Sequence, residues 1–473
     1  MSLARFRRIL LALPLFALGC TMGPDYSRPA VPLPAAYKHE GGWRSLPDAA
    51  QPQPNAPWWA VYSDPQLDRM MRLVAESNQS VAQAQARYRQ AQAQLQVSRA
   101  DGQVQVEGSS GVQRSGGSGG GGGGRSGGSS IDGTRYEVGT TVSWMPDLWG
   151  RVRRQTEADR AAIDSSAADL AAIRLGIQAT AAQAYMRIRA IDRYMDLLNQ
   201  TMEAYARSLA LTRNQYAAGL VARADVIQSE TQLQSLRTQK SDLQRQRLLE
   251  ENAIAVLLGG PPAGFGLELT AELPPPPPVP AQLPASLLAR RPDVVAAERQ
   301  VAAANARIGV AETAWYPDIT LSAQAGLQEG RFTDLLNAPQ FFWSLGPALA
   351  LTLFDGGRRS AVLEQTRAQY DEQVAAYRET FLTGMREVED ALASLQTLAE
   401  KAVQQQRLVE LAEENERVVT NRYRAGLVTF LEVSVAQNLT FTSRRTALEI
   451  RADRLAASIQ LVTALGGGWQ PEQ

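Results

Sequence analysis

From Ile188 onward the apolar positions of the chain fall at alternating steps of three and four: Ile188, Ile191, Met195, Leu198, Met202, Tyr205, Leu209, Thr212 and Tyr216. This is the heptad seam of packed helices. The helix that carries it is expected to begin at Arg151. From there to Tyr216 the chain has no proline, one glycine (Gly176), and mostly alanine, arginine, glutamine and leucine, all good helix formers. At a rise of ~1.5 Å per residue such a helix is on the order of 100 Å long. After Gly219 a second helix is expected from about Ala224 to Leu258, stopped by Gly259-Gly260 and Pro261-Pro262. Upstream of this hairpin the period changes from 3.5 to 2, the mark of strands. Val104, Val106, Gly108, Ser110 and Val112 alternate with Gln103, Gln105, Glu107 and Ser109, and Tyr136, Val138, Thr140, Val142 and Trp144 alternate with Glu137, Gly139, Thr141 and Ser143.

The pattern then recurs. Tyr216 to Val221 reads Tyr-Ala-Ala-Gly-Leu-Val and Tyr423 to Val428 reads Tyr-Arg-Ala-Gly-Leu-Val, and the offset of 207 from Gly219 to Gly426 also carries Gly150-Arg151 onto Gly357-Arg358 and Leu258-Gly259-Gly260 onto Leu465-Gly466-Gly467. A repeat this long is a duplicated supersecondary module, expected to be arranged about a pseudo-twofold axis. In the second copy Ile319, Leu321, Ala323 and Ala325 alternate with Thr320, Ser322 and Gln324. Trp343, Leu345, Leu349, Leu351 and Leu353 alternate with Ser344, Gly346, Ala348, Ala350 and Thr352. A second helical hairpin follows from Arg358 to Tyr423, turns at Gly426 and ends at Gly466. Each strand is about nine to eleven residues, the length a tilted strand needs to cross a bilayer, and the polar face is made of small residues that suit a wet lumen. Two soluble hairpins with one face on a core fit the same alternation.

The N-terminus favours the membrane reading. Arg5, Arg7 and Arg8 precede an apolar run from Ile9 to Leu18, then Gly19-Cys20, which is the shape of a signal peptide too short to span a membrane. Ala17-Leu18-Gly19-Cys20 is similar to a bacterial lipobox, so Cys20, the single cysteine of the chain, is the expected lipidation site and mature N-terminus. Each buried methylene of an acyl chain contributes roughly 0.8 kcal/mol, and more than one chain gives stable anchoring. Four strands cannot close a membrane barrel, whose smallest forms use eight, and an open edge in lipid is not viable. Three copies supply twelve strands.

At this point the residues carry a resemblance. Cys20 with Gly23-Pro24-Asp25-Tyr26, Trp58-Trp59 with Asp64-Pro65-Gln66-Leu67, Arg290-Arg291-Pro292-Asp293-Val294, Trp315-Tyr316-Pro317, Phe354-Asp355-Gly356-Gly357-Arg358 and the two glycine turns together are similar to the outer membrane factors of tripartite efflux pumps, the TolC-like channels, in the lipoprotein branch of NodT type. The resemblance implies a mainly α chain with a membrane β-barrel: a homotrimer with a twelve-stranded β-barrel continued by a long α-helical barrel, and a two-fold internal repeat per chain. It implies a passive exit duct for small toxic compounds, in the bacterial outer membrane and extending into the periplasm. Its partners would be a periplasmic adaptor (membrane fusion) protein, an inner membrane proton-driven pump of RND type, and outer membrane lipid. The expected organisation is a signal peptide at 1–19, a lipidated segment at 20–62, a first repeat at 63–272, a proline-rich linker at 273–283, a second repeat at 284–468 and a tail at 469–473.

The resemblance also implies periplasmic tips and adaptor contacts at Gly219, Leu220, Val221, Gly426, Leu427 and Val428, and a gate around Tyr423, Leu431, Glu432 and Val435. Tyr423 matches a tyrosine that links neighbouring coils in some members, and Glu432 matches one of two positions that can carry an acidic ring. The second acidic position is Val435 here, and the place of a basic partner is Val428, so closure is expected to rest on apolar packing by Leu431 and Val435. The bland alternative for Glu432 is a solvated helix charge.

Other features narrow the class. The Gly/Ser stretch from Ser115 to Ser130 reads as a flexible loop without the Gly-Lys-Ser ending of a phosphate site. Pro274 to Pro278 reads as a stiff extended connector, and ordinary packing is the expected role of Trp58 and Trp59. Lysine plus arginine and aspartate plus glutamate both number 48, so there is no electrostatic footprint for nucleic acid. The lone His39 has no second histidine or nearby cysteine to complete a metal site, and no Gly-x-Ser-x-Gly nucleophile motif occurs. No cofactor, no metal and no enzymatic activity are expected. A periplasmic adaptor lipoprotein, a structural periplasmic tether and an exit duct for type I protein secretion are the alternatives. The first two are expected to become soluble once Cys20 is replaced, whereas an integral barrel still needs detergent.

Overall fold

The computed structural model describes residues 21–31, 57–115, 133–277, 288, 290–337 and 339–467. Cys20, the signal segment, His39, most of the Gly/Ser stretch and the end of the proline connector lie outside them. The element order is a short 3-10 turn at Trp58–Tyr62, α1 (Pro65–Ser77), α2 (Gln79–Ala100), β1 (Gln105–Ser115), β2 (Gly133–Trp144), α3 (Arg151–Ala217), α4 (Arg223–Leu257), α5 (Pro292–Thr313), β3 (Asp318–Glu329), α6 (Phe332–Asn337), β4 (Gln340–Ala350), α7 (Arg358–Arg424) and α8 (Phe430–Ala464). The chain divides into two compact units. One comprises Met1–Pro29, Arg89–Ser165 and Glu298–Ala376, the other Ala30–Tyr88, Ser166–Ala297 and Tyr377–Gln473.

The first unit holds one antiparallel sheet in the order β1-β2-β3-β4. Its register puts Val106, Val142, Ala323 and Leu345 in one cross-strand row, and Ser110, Val138, Leu327 and Phe341 in another row on the same face. The opposite face carries Glu107, Thr141, Gln324 and Ser344. The apolar face is uncovered: Val106, Trp343 and Leu345 are each about two thirds exposed, at 68%, 71% and 66%. On the polar face, the ring of Phe342 lies over Gly326, where an added Cβ would come within 2.8 Å of it.

All four strands differ from the alternation in their bounds, β2 beginning at Gly133 rather than Tyr136. β1 begins at Gln105 rather than Gln103 and runs on to Ser115, and β3 continues to Glu329. β4 is shifted toward the N-terminus: it begins at Gln340 and stops at Ala350, so Leu351 and Leu353 lie past its end. The reason is its partner. Ala350 pairs with Asp318, the first residue of β3, and Pro317 before it has no N–H to extend the ladder.

The second unit is helical. The expected seam of α3 is buried at Ile188, Met195, Leu198, Tyr205, Leu209 and Thr212, while Tyr216 falls outside it, at 46% exposed. Met195, Leu198, Tyr205 and Leu209 pack with Leu233, Leu236 and Leu243 of α4 and Phe441 of α8. Each fully buried Leu or Ile contributes about 1.5–3 kcal/mol. α3 and α7 each span 67 residues, and α4 and α8 each span 35, with matching ends at the same offset of 207. Gly176 does not interrupt α3. A second core gathers Trp58, Tyr62, Leu67, Met71, Tyr185 and Ile254, which gives Trp58 the packing role expected of it.

Three of the motifs that carry the resemblance supply two caps and an anchor. Asp64 caps α1 by accepting from the backbone N–H groups of Gln66 (2.8 Å) and Leu67 (3.2 Å), with Pro65 at the first helical position. Asp355 caps α7 in the same way, accepting from Gly357 and Arg359 N–H at 3.0 Å each. The Arg359 backbone bond, with the Arg359 guanidinium, holds its carboxyl below the usual range. Arg291 is buried between Asp293 (2.6 Å) and Glu387 (2.8 Å) and also donates to the carbonyl of Ala464 (2.9 Å). Burial disfavours its charge, but those carboxylates outweigh burial and raise its pKa.

Helices α1, α2 and α5 went unread in the sequence. α5 is buried almost all round, at Val294, Ala296, Val301, Ala303, Ala306 and Ile308 among others, so it shows no apolar stripe. Proline at its first position, followed by Asp293, was the available signal.

Candidate functional site

The two expected tips are built alike. Gly219 and Gly426 adopt left-handed φ values of 67° and 72°. Gly219 N–H bonds the carbonyl of Tyr216 and Leu220 N–H that of Gln215, and Gly426 and Leu427 repeat this on Tyr423 and Arg422, all four at 2.9 Å. This is the Schellman stop, which needs a residue at ease with positive φ. Both glycines have open space where a side chain would stand. The returning helices are capped by acids: Asp225 accepts from Ala222 N–H at 3.3 Å and Glu432 from Thr429 N–H at 3.4 Å. Glu432 therefore has a local structural role, matched by Asp225 in the first copy.

The gate candidates separate into two groups. Tyr423 is buried, packs edge-on to Phe430 at 5.8 Å between centroids, and donates its hydroxyl to Gln215 Oε1 on α3 at 2.5 Å. It ties the two hairpins of one chain together. Val433 completes this cluster and Val428 packs against it. Leu431 and Val435 stand apart at 61% and 60% exposed, one turn apart on α8, and Leu220 and Leu427 at the turns are more exposed still. Gln215, Phe430 and Val433 were missed from sequence. The spacing of Phe430 and Val433 by three residues after the turn was a signal, whereas Gln215 had none, being 208 positions from its partner.

In the other unit, a cluster of aromatic residues marks one end of the sheet. Trp149 stacks on Tyr316 (4.9 Å, 26° between planes) and donates its indole N–H to the carbonyl of Pro317 at 2.8 Å. The guanidinium of Arg359 lies 4.8 Å from the ring centre of Trp315. The chain just after Cys20 is fastened at this place. Met22 N–H bonds the carbonyl of Trp149, and Gly150, at φ +80°, is so close that a Cβ there would meet Thr21 at 3.1 Å. Arg154 holds the segment through the carbonyls of Met22 (2.8 Å) and Gly23 (3.0 Å) and through Asp25 (3.0 Å). Tyr26 donates to Glu298, and burial, then that bond, raises the tyrosine pKa.

β1 pairs only with β2 and β4 only with β3, so both edges of the sheet are unpaired among the described residues. Among those residues no group of carboxylate, histidine or cysteine side chains could hold a metal, and no helix is long and apolar enough to cross a membrane.

A model of the family "Outer membrane efflux protein" matches residues 70–260 and 283–467. The solvent efflux pump outer membrane protein SrpC of Pseudomonas putida is 30% identical over 480 residues, covering 98% of this chain and 99% of its own. The cation efflux system protein CusC of Escherichia coli is 28% identical over 460 residues, 96% of each chain. A solved CusC structure superposes with a TM-score of 0.82 at 26% identity, covering 94% of this chain and all of that one. The open state of the MtrE outer membrane channel of Neisseria gonorrhoeae gives a TM-score of 0.81 at 25% identity, covering 96% and 99%. Fold and sequence therefore agree: this chain belongs to the outer membrane efflux protein family of TolC-like, non-enzymatic channels.

Proposed function

We propose that the protein is the outer membrane channel of a tripartite efflux pump, working with a periplasmic adaptor and an inner membrane pump of RND type. The observation that carries this reading is the four-stranded sheet with two unpaired edges and an uncovered apolar face. Such a sheet is tolerated in a bilayer only when the edges close on one another. Three chains related by a threefold axis supply twelve strands, apolar outward and polar inward, and their hairpins form a helical tube. The duct is passive. SrpC by its name serves solvent efflux and CusC cation efflux, so one duct architecture goes with unlike cargoes, and small toxic compounds are the proposed cargo here.

Lipidation at Cys20, as in the NodT-type lipoprotein branch, fits the attachment of Thr21 and Met22 beside Trp149 and Tyr316, because aromatic side chains gather at membrane interfaces. The signal segment 1–19 is removed in this reading. The gate is proposed at the turns, where Leu431 and Val435 from three copies pack against one another, with Gly219 to Val221 and Gly426 to Val428 meeting the adaptor.

The test is Cys20→Ala purified from membranes. It is expected to remain a detergent-dependent trimer and to conduct ions in planar bilayers. A water-soluble monomer without conductance would overturn the channel reading. In that channel Leu431→Ser is expected to raise conductance and antibiotic entry. An unchanged leak would leave the duct standing but remove the apolar gate.

A further inference from the structure

The second hairpin keeps an arginine for which the first hairpin supplies carboxylates and the second does not. On α4, Arg247 donates from Nε to Asp192 (2.6 Å), from a terminal nitrogen to Glu251 (2.6 Å) and to the carbonyl of Leu267 (2.7 Å). At the offset of 207, Arg247 becomes Arg454, Asp192 becomes Ala399 and Glu251 becomes Ser458. Ser458 turns its hydroxyl to Tyr62 (2.8 Å) and to the carbonyl of Leu455 (2.7 Å). The Nε of Arg454, the atom that Asp192 satisfies in the first copy, is buried without a hydrogen-bond partner.

Positive charge accumulates around it. Arg451, three residues earlier, donates to the carbonyl of Leu273. Burial, then the neighbouring Arg193 and Arg454, lowers its pKa. Arg193 is paired with Asp196 at 2.6 Å, whereas no carboxylate is paired with Arg451 or Arg454 among the described residues. The two arginines border an open pocket of roughly 230 Å³, closed on other sides by Pro275 and Pro276 of the connector, Ala402 and Gln406 of α7, and Ile450 of α8. A guanidinium is a planar fork of donors that matches a carboxylate, and the first hairpin shows that partner in place.

We propose that the pocket at Arg451 and Arg454 is a carboxylate-binding site, filled from outside the chain where Asp192 fills its counterpart from within. Two sources share this chemistry: a small free carboxylate, or an aspartate or glutamate side chain of a second copy of this chain. The first does not rest on the channel reading; the second rests on its trimer.

The experiment uses the full-length protein in detergent, with thermal midpoints followed against citrate at constant ionic strength held by sodium chloride. A free carboxylate site gives a saturable rise in the midpoint. The citrate affinity then falls by at least about tenfold in Arg454→Gln, and equally in Ala399→Asp, which supplies the carboxylate from within the chain. If citrate shifts nothing, a side chain from a second copy requires that both variants weaken the trimer about tenfold by native mass spectrometry, one by removing the guanidinium and the other by occupying it. Should Arg454→Gln fail to fold, Ala399→Asp carries the same comparison. The proposal is overturned if citrate acts equally on the wild type and both variants, or if citrate has no effect and assembly is unaltered.

Discussion

The hairpin α3–α4 and its counterpart α7–α8 share helix lengths, turn geometry and acid caps, yet they differ in which polar groups they satisfy internally. The first closes on itself: Arg187 pairs with Glu250 at 2.9 Å, Arg213 with Glu230 at 2.5 Å, and Arg247 with two buried acids. At the position of Glu230 the second hairpin carries Gln437, whose Oε1 is buried without a partner among the described residues, and at that of Arg247 it carries Arg454, whose Nε is likewise without one. The tyrosines before the turns diverge in the opposite sense, since Tyr216 is exposed while Tyr423 is buried and bonded to Gln215. Duplication preserved what the backbone needs and let the polar interior change. The copies differ in where this happens: the second keeps Arg444 paired with Glu413 at 2.7 Å between its helices, and the first leaves the Tyr205 hydroxyl buried without a partner among the described residues.

The comparison can be broken most severely at the paired arginines. Arg247→Gln strands Asp192 and Glu251, both buried, and is expected to destabilise the fold by about 3–5 kcal/mol. The same change at Arg454 strands no acid of its own chain and should cost the fold well under half as much, both read as thermal midpoints in detergent. Next in size are the turns. Gly219→Val and Gly426→Val force a branched side chain to positive φ in open space, so each is expected to lose about 1–2 kcal/mol by the backbone alone. Equal losses would support the equivalence of the two turns, and a loss confined to one would break it.

Smaller effects separate the tyrosines and then the caps. Tyr423→Phe removes the bond to Gln215 and is expected to cost about 0.5–1.5 kcal/mol and to raise antibiotic entry in susceptibility assays, whereas Tyr216→Phe changes neither. Asp225→Ala and Glu432→Ala each remove an exposed helix cap and should lower the midpoint slightly, by about 0.3–1 kcal/mol at low salt and less at high salt. A loss at Glu432 much larger than at Asp225 would mean that Glu432 does more than cap its helix.

Much of the fold was legible because its signals are local. The ends of α3, α4, α7 and α8 lie within a residue or two of those read from Gly219, Gly259, Gly426 and Gly466, since a left-handed glycine stops a helix wherever it falls. The strands were legible as alternation, but β4 was displaced because its end is set by Pro317 on another strand. α5 was hidden, being buried too completely to show a stripe. At the candidate site, the turn residues were readable from their repeat. The placement of Tyr423 against Gln215, and of Leu431 and Val435 away from that cluster, was not.

The sequence alone determined the two periods, the glycine stops and the offset that doubles the module, because each is written in the local order of residue types. Only the tertiary structure decided which arginine keeps its carboxylates and where Thr21 is fastened. Those outcomes join residues tens to hundreds of positions apart, and the free energy of such a contact exists only once packing has brought the groups together.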